Sequence, residues 1–147
     1  MASSPSVPWM QYVHDVLARA GLRRGGARDR VIALLAAQPC ALSAVGIEDA
    51  LREQGTPTSR ASIYRVLELL TEHGLIERVA VGPGEAMFER AAPGGEHHHH
   101  LLCERCGRLV AFDDPGLERA IHSLSARLGV RVEHHDVVLR GACEQCE

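Results

Sequence analysis

The segment His97-His98-His99-His100-Leu101-Leu102-Cys103-Glu104-Arg105-Cys106-Gly107, answered by Cys143 and Cys146 at the far end of the chain, constrains the fold more than any other feature. Two CxxC pairs supply four thiolates, the ligand set of a closed tetrahedral zinc site. An ion held in this way ties residue 146 back to residue 103, so the chain between them must return to its start. Dithiols that work by redox chemistry sit in a thioredoxin-like βαβ setting, which the surrounding pattern lacks. The histidines add nitrogen donors that titrate near neutrality and suit a metal that comes and goes. They are internal, only four long, and run straight into the first CxxC, which separates them from a purification tag.

In an extended strand alternate side chains point to opposite faces. His97 and His99 then face one way and His98 and His100 the other, so one run can feed two different ions. Candidate partners elsewhere are Glu89, Glu118 and the His134-His135 pair; without the run beside them, a lone Glu118 or His135 reads as a solvated charge or a capped imidazole. Cys40 follows a helical run ending at Pro39 and reads as a small buried hydrophobe. His14, His73 and His122 read as surface or internally satisfied histidines.

Ahead of the run the periodicity is helical. Residues 1–8, rich in Ser and Pro, should be frayed. From Trp9 to Ala20 the apolar residues Met10, Val13, Val16, Leu17 and Ala20 share a face, and Gly21 ends the helix. Arg28 to Gln38 repeats the signal through Val31, Ile32, Leu34 and Leu35 and stops at Pro39. A third helix near Val45 to Gln54 turns Ile47, Ala50 and Leu51 inward. Thr56-Pro57-Thr58-Ser59 is a turn and N-cap signal before a fourth helix from Arg60 to His73, with Ile63, Val66, Leu67 and Leu70 inside and Arg60, Tyr64, Arg65 and Glu68 outside. Two strands, Leu75 to Val81 and Glu85 to Arg90, then flank Gly82-Pro83-Gly84 as a wing. Helices followed by a β-hairpin, with an exposed Tyr-Arg pair on the helix before it, describe a winged helix-turn-helix.

Residues 91–96, with Pro93, Gly94 and Gly95, read as a hinge. Beyond it, strands are expected at His97 to Leu102 and Arg108 to Phe112. A helix opened by Asp114-Pro115 should run through Leu117, Ile121, Leu124 and Leu128 to Gly129. Val130 to Glu133 and Asp136 to Arg140 complete the expected strands, with His134-His135 placed in the penultimate one. The fold class is therefore α+β: a winged-helix domain over 1–90, the hinge over 91–96, and a small α/β domain over 97–147. So small a piece has little room for a core of its own, and a structural zinc would help hold it together.

Charge supports the division. The net charge of −3 advertises no polyanion partner, but residues 19–30 carry Arg19, Arg23, Arg24, Arg28 and Arg30 against Asp29 alone, while the tail from residue 92 is net acidic. No stretch approaches eighteen apolar residues and no apolar signal core opens the chain, so a soluble, cytoplasmic protein without membrane contact is expected. In that reducing setting paired CxxC motifs are zinc ligands rather than disulfides.

With Ser62-Ile63-Tyr64-Arg65-Val66-Leu67, Gly74-Leu75-Ile76, Phe88-Glu89, His97 to Gly107 and Gly141-Ala142-Cys143, the chain resembles the ferric uptake regulator (Fur) family of bacterial metal-dependent repressors. The resemblance implies a homodimer whose winged-helix domains bind double-stranded DNA at an AT-rich inverted repeat and whose C-terminal domains dimerise and bind metal. It implies structural zinc at Cys103, Cys106, Cys143 and Cys146. A second site of His97, His99, Glu118 and His135 is implied, and a regulatory hinge site of Glu89, His98 and His100. Tyr64 and Arg65 match recognition-helix residues, and Arg23 matches a basic residue that reaches the minor groove. The implied function is repression of iron- or zinc-uptake genes, with no enzymatic activity.

Two departures bear on the hinge site. Many members contribute a histidine near Ala41, and zinc-responsive members often place a cysteine at Arg90 or Ala91 and a carboxylate at Glu77. This chain has only the carboxylate, so the fourth ligand is open among Glu77, His73 and Cys40. Nitrogen and oxygen donors suit Fe(II), Mn(II) or Zn(II) alike. A peroxide sensor of the same fold is an alternative, although Ala111 stands where such sensors resemble one another in placing an extra acid. A metal-dependent hydrolase would need an open coordination position and a base such as Glu89 or Glu118. A zinc-ribbon interaction module leaves the Arg23 and Tyr64-Arg65 features unexplained.

Overall fold

The computed structural model describes residues 6–38, 41–82, 85–91 and 98–146. The expected buried Cys40, most of the expected hinge and His97 lie outside these residues. The chain divides into two compact units, Met1–Gly95 and Glu96–Glu147.

The first unit follows the apolar periodicity closely. Helix α1 spans Ser6–Arg19 and α2 spans Gly26–Ala37; a short strand β1, Leu42–Ser43, precedes α3, Ala44–Glu53, and α4, Arg60–Glu72. The caps are those the composition offers. Ser43 accepts from the Gly46 amide (3.0 Å) and Ser59 from the Ser62 amide (3.2 Å), each satisfying a first-turn donor. Trp9, Val13 and Leu17 of α1 meet Val31, Ile32, Leu34 and Leu35 of α2, with Ile47, Leu51, Ile63, Leu67 and Leu70 completing one continuous core. Helix α1 begins earlier than the Ser- and Pro-rich composition suggested, because Pro8 stands in its first turn, where a missing N–H is harmless. Ala20, expected inside, is exposed where the helix ends.

Strands β2, Ile76–Gly82, and β3, Glu85–Arg90, form the antiparallel wing. The two-residue β1 adds to the outer edge of β3, with Leu42 opposite Phe88, and was not anticipated. Register places Glu77 directly opposite Glu89, while Phe88 and Ile76 turn into the core. Arg90 lies 6.0 Å over the Trp9 ring and donates to the Ala36 carbonyl (3.4 Å), supplying the cation that the last turn of α2 lacks.

The second unit is a three-stranded sheet in the order β5-β4-β6, with β4 at His99–Cys103, β5 at Leu109–Phe112 and β6 at Val138–Gly141. Strand β5 runs antiparallel and β6 parallel to β4, joined by helix α5, Pro115–Leu128. Asp114 caps that helix through the Leu117 amide (2.9 Å), and Gly129 closes it at φ 65°.

Two expectations fail here. Val130 to Glu133 alternates like a strand but forms none: the Ser125 hydroxyl donates to the Val130 carbonyl and accepts from the Val132 amide (3.3 Å), capturing groups a ladder would need. His134 and His135 consequently lie in irregular backbone rather than in a strand. Helix α5 forms where expected but buries none of its residues; Leu124 and Leu128, on its apolar line, are 45% and 66% exposed.

Candidate metal centres and nucleic-acid face

The CxxC pairs come together as tight turns at two strand ends. Cys103 closes β4 and is fully buried, and the 104–106 turn brings Cys106 back toward it. Because β6 runs parallel to β4, with Gly141 opposite Cys103, the chain's last turn delivers Cys143 and Cys146 to the same place. One sulfur from each of the four lies within 4.8 Å of the others, and Cys106 Sγ and Cys143 Sγ are 3.9 Å apart. Tetrahedral zinc with Zn–S bonds of about 2.3 Å needs sulfurs about 3.8 Å apart, so the donors fit that ion in chemistry and spacing.

The local electrostatics match. The Cys143 amide donates to Cys103 Sγ (3.3 Å). That bond, with further ones from the Cys106 and Arg105 backbone, lowers the Cys103 thiol to about 6. The Cys146 thiol is pushed up to about 12, because it shares its proton with the Cys143 and Cys106 sulfurs beside it and is partly desolvated. One sulfur is ready as a thiolate and another resists becoming a further anion in the cluster. A divalent cation removes that resistance. The Arg105 guanidinium donates to the Cys146 carbonyl, tying the second turn onto the first.

The histidine run divides as strand alternation dictates. His99, 1% exposed, reaches Glu118 Oε1 through Nε2, and His135 Nε2 lies 2.9 Å from the other oxygen, Oε2. The three donors lie within 4.8 Å of one another, and the His99 and His135 rings are 5.2 Å apart. Glu118 stands in the first turn of α5, where the helix dipole favours an anion. His97, the remaining expected ligand, lies outside the described residues. On the opposite face of β4, His98 and His100 approach edge to face with centroids 4.9 Å apart. Ala111 is the register partner of His100, so no carboxylate enters from that position.

In the first unit, Glu77 and Glu89 are cross-strand neighbours on the wing. Like charges placed directly opposite are unfavourable in a sheet unless a cation joins them. Of the other candidates for a fourth ligand, His73 is engaged at the end of α4 through Nδ1 and the Leu69 carbonyl (3.0 Å).

On α4, Tyr64 is 47% exposed and Arg65 is exposed beside it, while Ile63, Val66 and Leu67 anchor the other face. Arg23 lies in the loop before α2, and that loop forms a groove of about 490 Å³ against α4, lined by Arg23, Arg28, Ser62 and Arg65 among others. Arg28 and Ser62 were not singled out from sequence. Their signal was the basic 19–30 segment and the Ser-Ile-Tyr-Arg run.

The family description "Ferric uptake regulator family" matches residues 19–140. The ferric uptake regulation protein of Legionella pneumophila is 35% identical over 106 residues, covering 72% of this chain and 76% of that protein. The ferric uptake regulator of Vibrio cholerae superposes with a TM-score of 0.74 at 28% identity, covering 89% of this chain and 99% of that one. The Helicobacter pylori regulator, described as having three functional metal-binding sites, gives 0.76 at 25% identity over 96% and 93% of the two chains.

Proposed function

The chain belongs to the ferric uptake regulator family, and on that footing we propose that it is a metal-responsive, DNA-binding transcriptional repressor of metal-homeostasis genes. It acts as a regulator and not as an enzyme. No helix among the described residues is long and apolar enough to cross a membrane, in keeping with a protein working on DNA in the cytoplasm.

The carrying observation is the split of the histidine run across β4, which turns His99 toward Glu118 and His135 and sets His98 and His100 together on the opposite face. Structural zinc occupies the four cysteines. His99, Glu118 and His135, with His97, form a second site. The regulatory ion, Fe(II), Zn(II) or Mn(II), is held by Glu89, His98 and His100. Glu77 is the fourth ligand, supported by its register opposite Glu89. The protein works as a homodimer on an AT-rich inverted repeat. The exposed Leu124, Leu128, Val130, Val132 and Leu139 of the second unit supply apolar surface for a second copy. Residues 1–90 are the DNA-binding domain and 97–147 the dimerisation and metal-binding domain.

At the operator, the Tyr64 ring packs on a thymine methyl, Arg65 pairs with phosphate or a base edge, and Arg23 enters the narrow minor groove. The test is binding to the protein's own promoter with and without added metal. Glu77→Gln, Glu89→Gln and His98→Ala should each abolish the metal response while the cysteine zinc stays bound. Tyr64→Ala should cost roughly 1–3 kcal/mol of operator discrimination. Protection of the promoter that ignores both chelator and Tyr64→Ala would refute the proposal.

A further inference from the structure

The groove between the loop before α2 and helix α4 offers more positive charge than groove reading alone requires. Arg23, Arg28 and Arg65 all line it, and among the described residues none of the three has a carboxylate within salt-bridge distance. The neighbouring acid, Asp29, is engaged by Arg24 (3.3 Å), and Arg30 is held by the Thr58 hydroxyl (3.1 Å). Arg24 and Arg30 are thus drawn to side chains outside the groove, while Arg23 and Arg28 line it and meet no carboxylate among the described residues.

The groove is also built. Arg28 stands in the first turn of α2 and donates from Nη1 to the Arg23 carbonyl (2.8 Å), folding the loop over the helix start. Gly21 at φ 77° and Gly25 at φ 118° allow that tight return. Gly25 caps α2 without any side-chain hydrogen bond, leaving first-turn amides open to an external acceptor. On the facing wall the Ser59 hydroxyl donates to Ser62 Oγ (2.9 Å), and Arg65 Nη2 reaches the same oxygen (3.4 Å). Three guanidiniums that are not neutralised, a hydroxyl and a helix start converge on a concave, solvent-open space.

We infer that this groove seats one backbone phosphate of the DNA, with Arg28 and Ser62 as contact residues that no groove-reading role assigns. The inference rests on the DNA-binding reading above. A phosphodiester at this place lies between the minor-groove arm at Arg23 and the major-groove residue Tyr64. It therefore sets the register of both on the duplex without reading a base.

The experiment uses the full-length, metal-loaded protein and measures affinity for the promoter duplex and a scrambled duplex across a salt series. Arg28→Gln should lower the slope of log affinity against log salt by about 0.9, the value for one phosphate contact, equally on both duplexes. The ratio of promoter to scrambled affinity should stay unchanged, and Arg28→Lys should restore the slope. Single methylphosphonate substitutions along the promoter, tested on the unaltered protein, give a reading independent of the variant's folding. One position should weaken the wild type as much as Arg28→Gln does and weaken the variant no further. An unchanged slope, a loss confined to the promoter, or the absence of any such position would overturn the inference while leaving the repressor reading intact. Failure of the unaltered protein to bind either duplex with any divalent metal would remove both.

Discussion

Among the described residues, eighteen buried side chains of the first unit form one continuous apolar cluster from Trp9 to Phe88, whereas the second unit buries only Leu102, Cys103 and Leu109 together with His99 and His100. The first unit is large enough to cover its helices with one another. The second has fewer residues, a three-stranded sheet and a helix that buries nothing, and its most protected atoms are metal donors. Burial of hydrocarbon stabilises by about 25 cal/mol per Å², and a unit with so little of it must draw its stability from elsewhere. A zinc ion and a second copy of the chain are the two sources its residues provide for. Where a fold depends on an ion, the occupancy of neighbouring ions can be read out as shape, which suits a sensor.

The largest effect that could break this contrast comes from the cysteine cluster. Structural zinc contributes on the order of 10 kcal/mol to the folding of small domains, so Cys143→Ser should release zinc and unfold the second unit. Hydrogen exchange should show residues 98–146 losing protection while α1 to α4 keep theirs. In the first unit Leu70→Ala, a cavity at a fully buried position, should cost about 2–5 kcal/mol with zinc content unchanged. A Cys143→Ser protein that stayed dimeric with full zinc would show that the two units are stabilised alike.

The next effect concerns the surface the second unit leaves uncovered. Leu128, 66% exposed at the end of α5, and Leu139, 47% exposed on β6, belong to the proposed self-contact. Burying one leucine side chain is worth about 1.5–3 kcal/mol, so Leu128→Glu should weaken dimerisation at least 10- to 100-fold in sedimentation equilibrium. Zinc content should not change. An unaltered dimer would place the self-contact on another surface.

How far sequence reached follows the same division. In the first unit each helix had a 3.6-residue stripe, and α3 and α4 have a serine cap as well, Ser43 and Ser59, so α2 to α4 lie within two residues of expectation; α1 alone departs by more. Strand β1 escaped because two residues carry no period; they are extended only because the edge of β3 offers partners. In the second unit the alternation Val130-Arg131-Val132-Glu133 was overruled by one hydroxyl, Ser125, whose bonds to the backbone no pattern announces. The α5 stripe was legible, but a stripe cannot say whether its cover is the same chain or another. Among the described residues, the donor groupings within the second unit were legible in outline, since CxxC spacing and strand parity are local rules. Arg28 and Ser62 were not, because a groove joins residues far apart in sequence.

The smallest predicted effect sharpens the contrast inside the second unit itself, between its cysteine cluster and its histidine–carboxylate cluster. The cysteines close a loop of some forty residues, so losing their ion unties the chain ends. The cluster of His99, Glu118 and His135 only docks the start of α5 and the segment before β6 onto β4. Its groups already hold one another through Glu118, which accepts from both imidazoles when they carry protons on Nε2. Metal there replaces existing contacts instead of creating the only ones, so the net gain is modest. His135→Ala should therefore leave zinc in the cysteine cluster, leave the dimer intact and weaken metal-dependent promoter binding by no more than about tenfold, or about 1.4 kcal/mol. His98→Ala, measured in parallel, should abolish the response. The check is a metal titration of promoter affinity for both variants with zinc content determined on the same samples. If His135→Ala were the more damaging, the regulatory and tuning roles of the two faces of β4 would be exchanged.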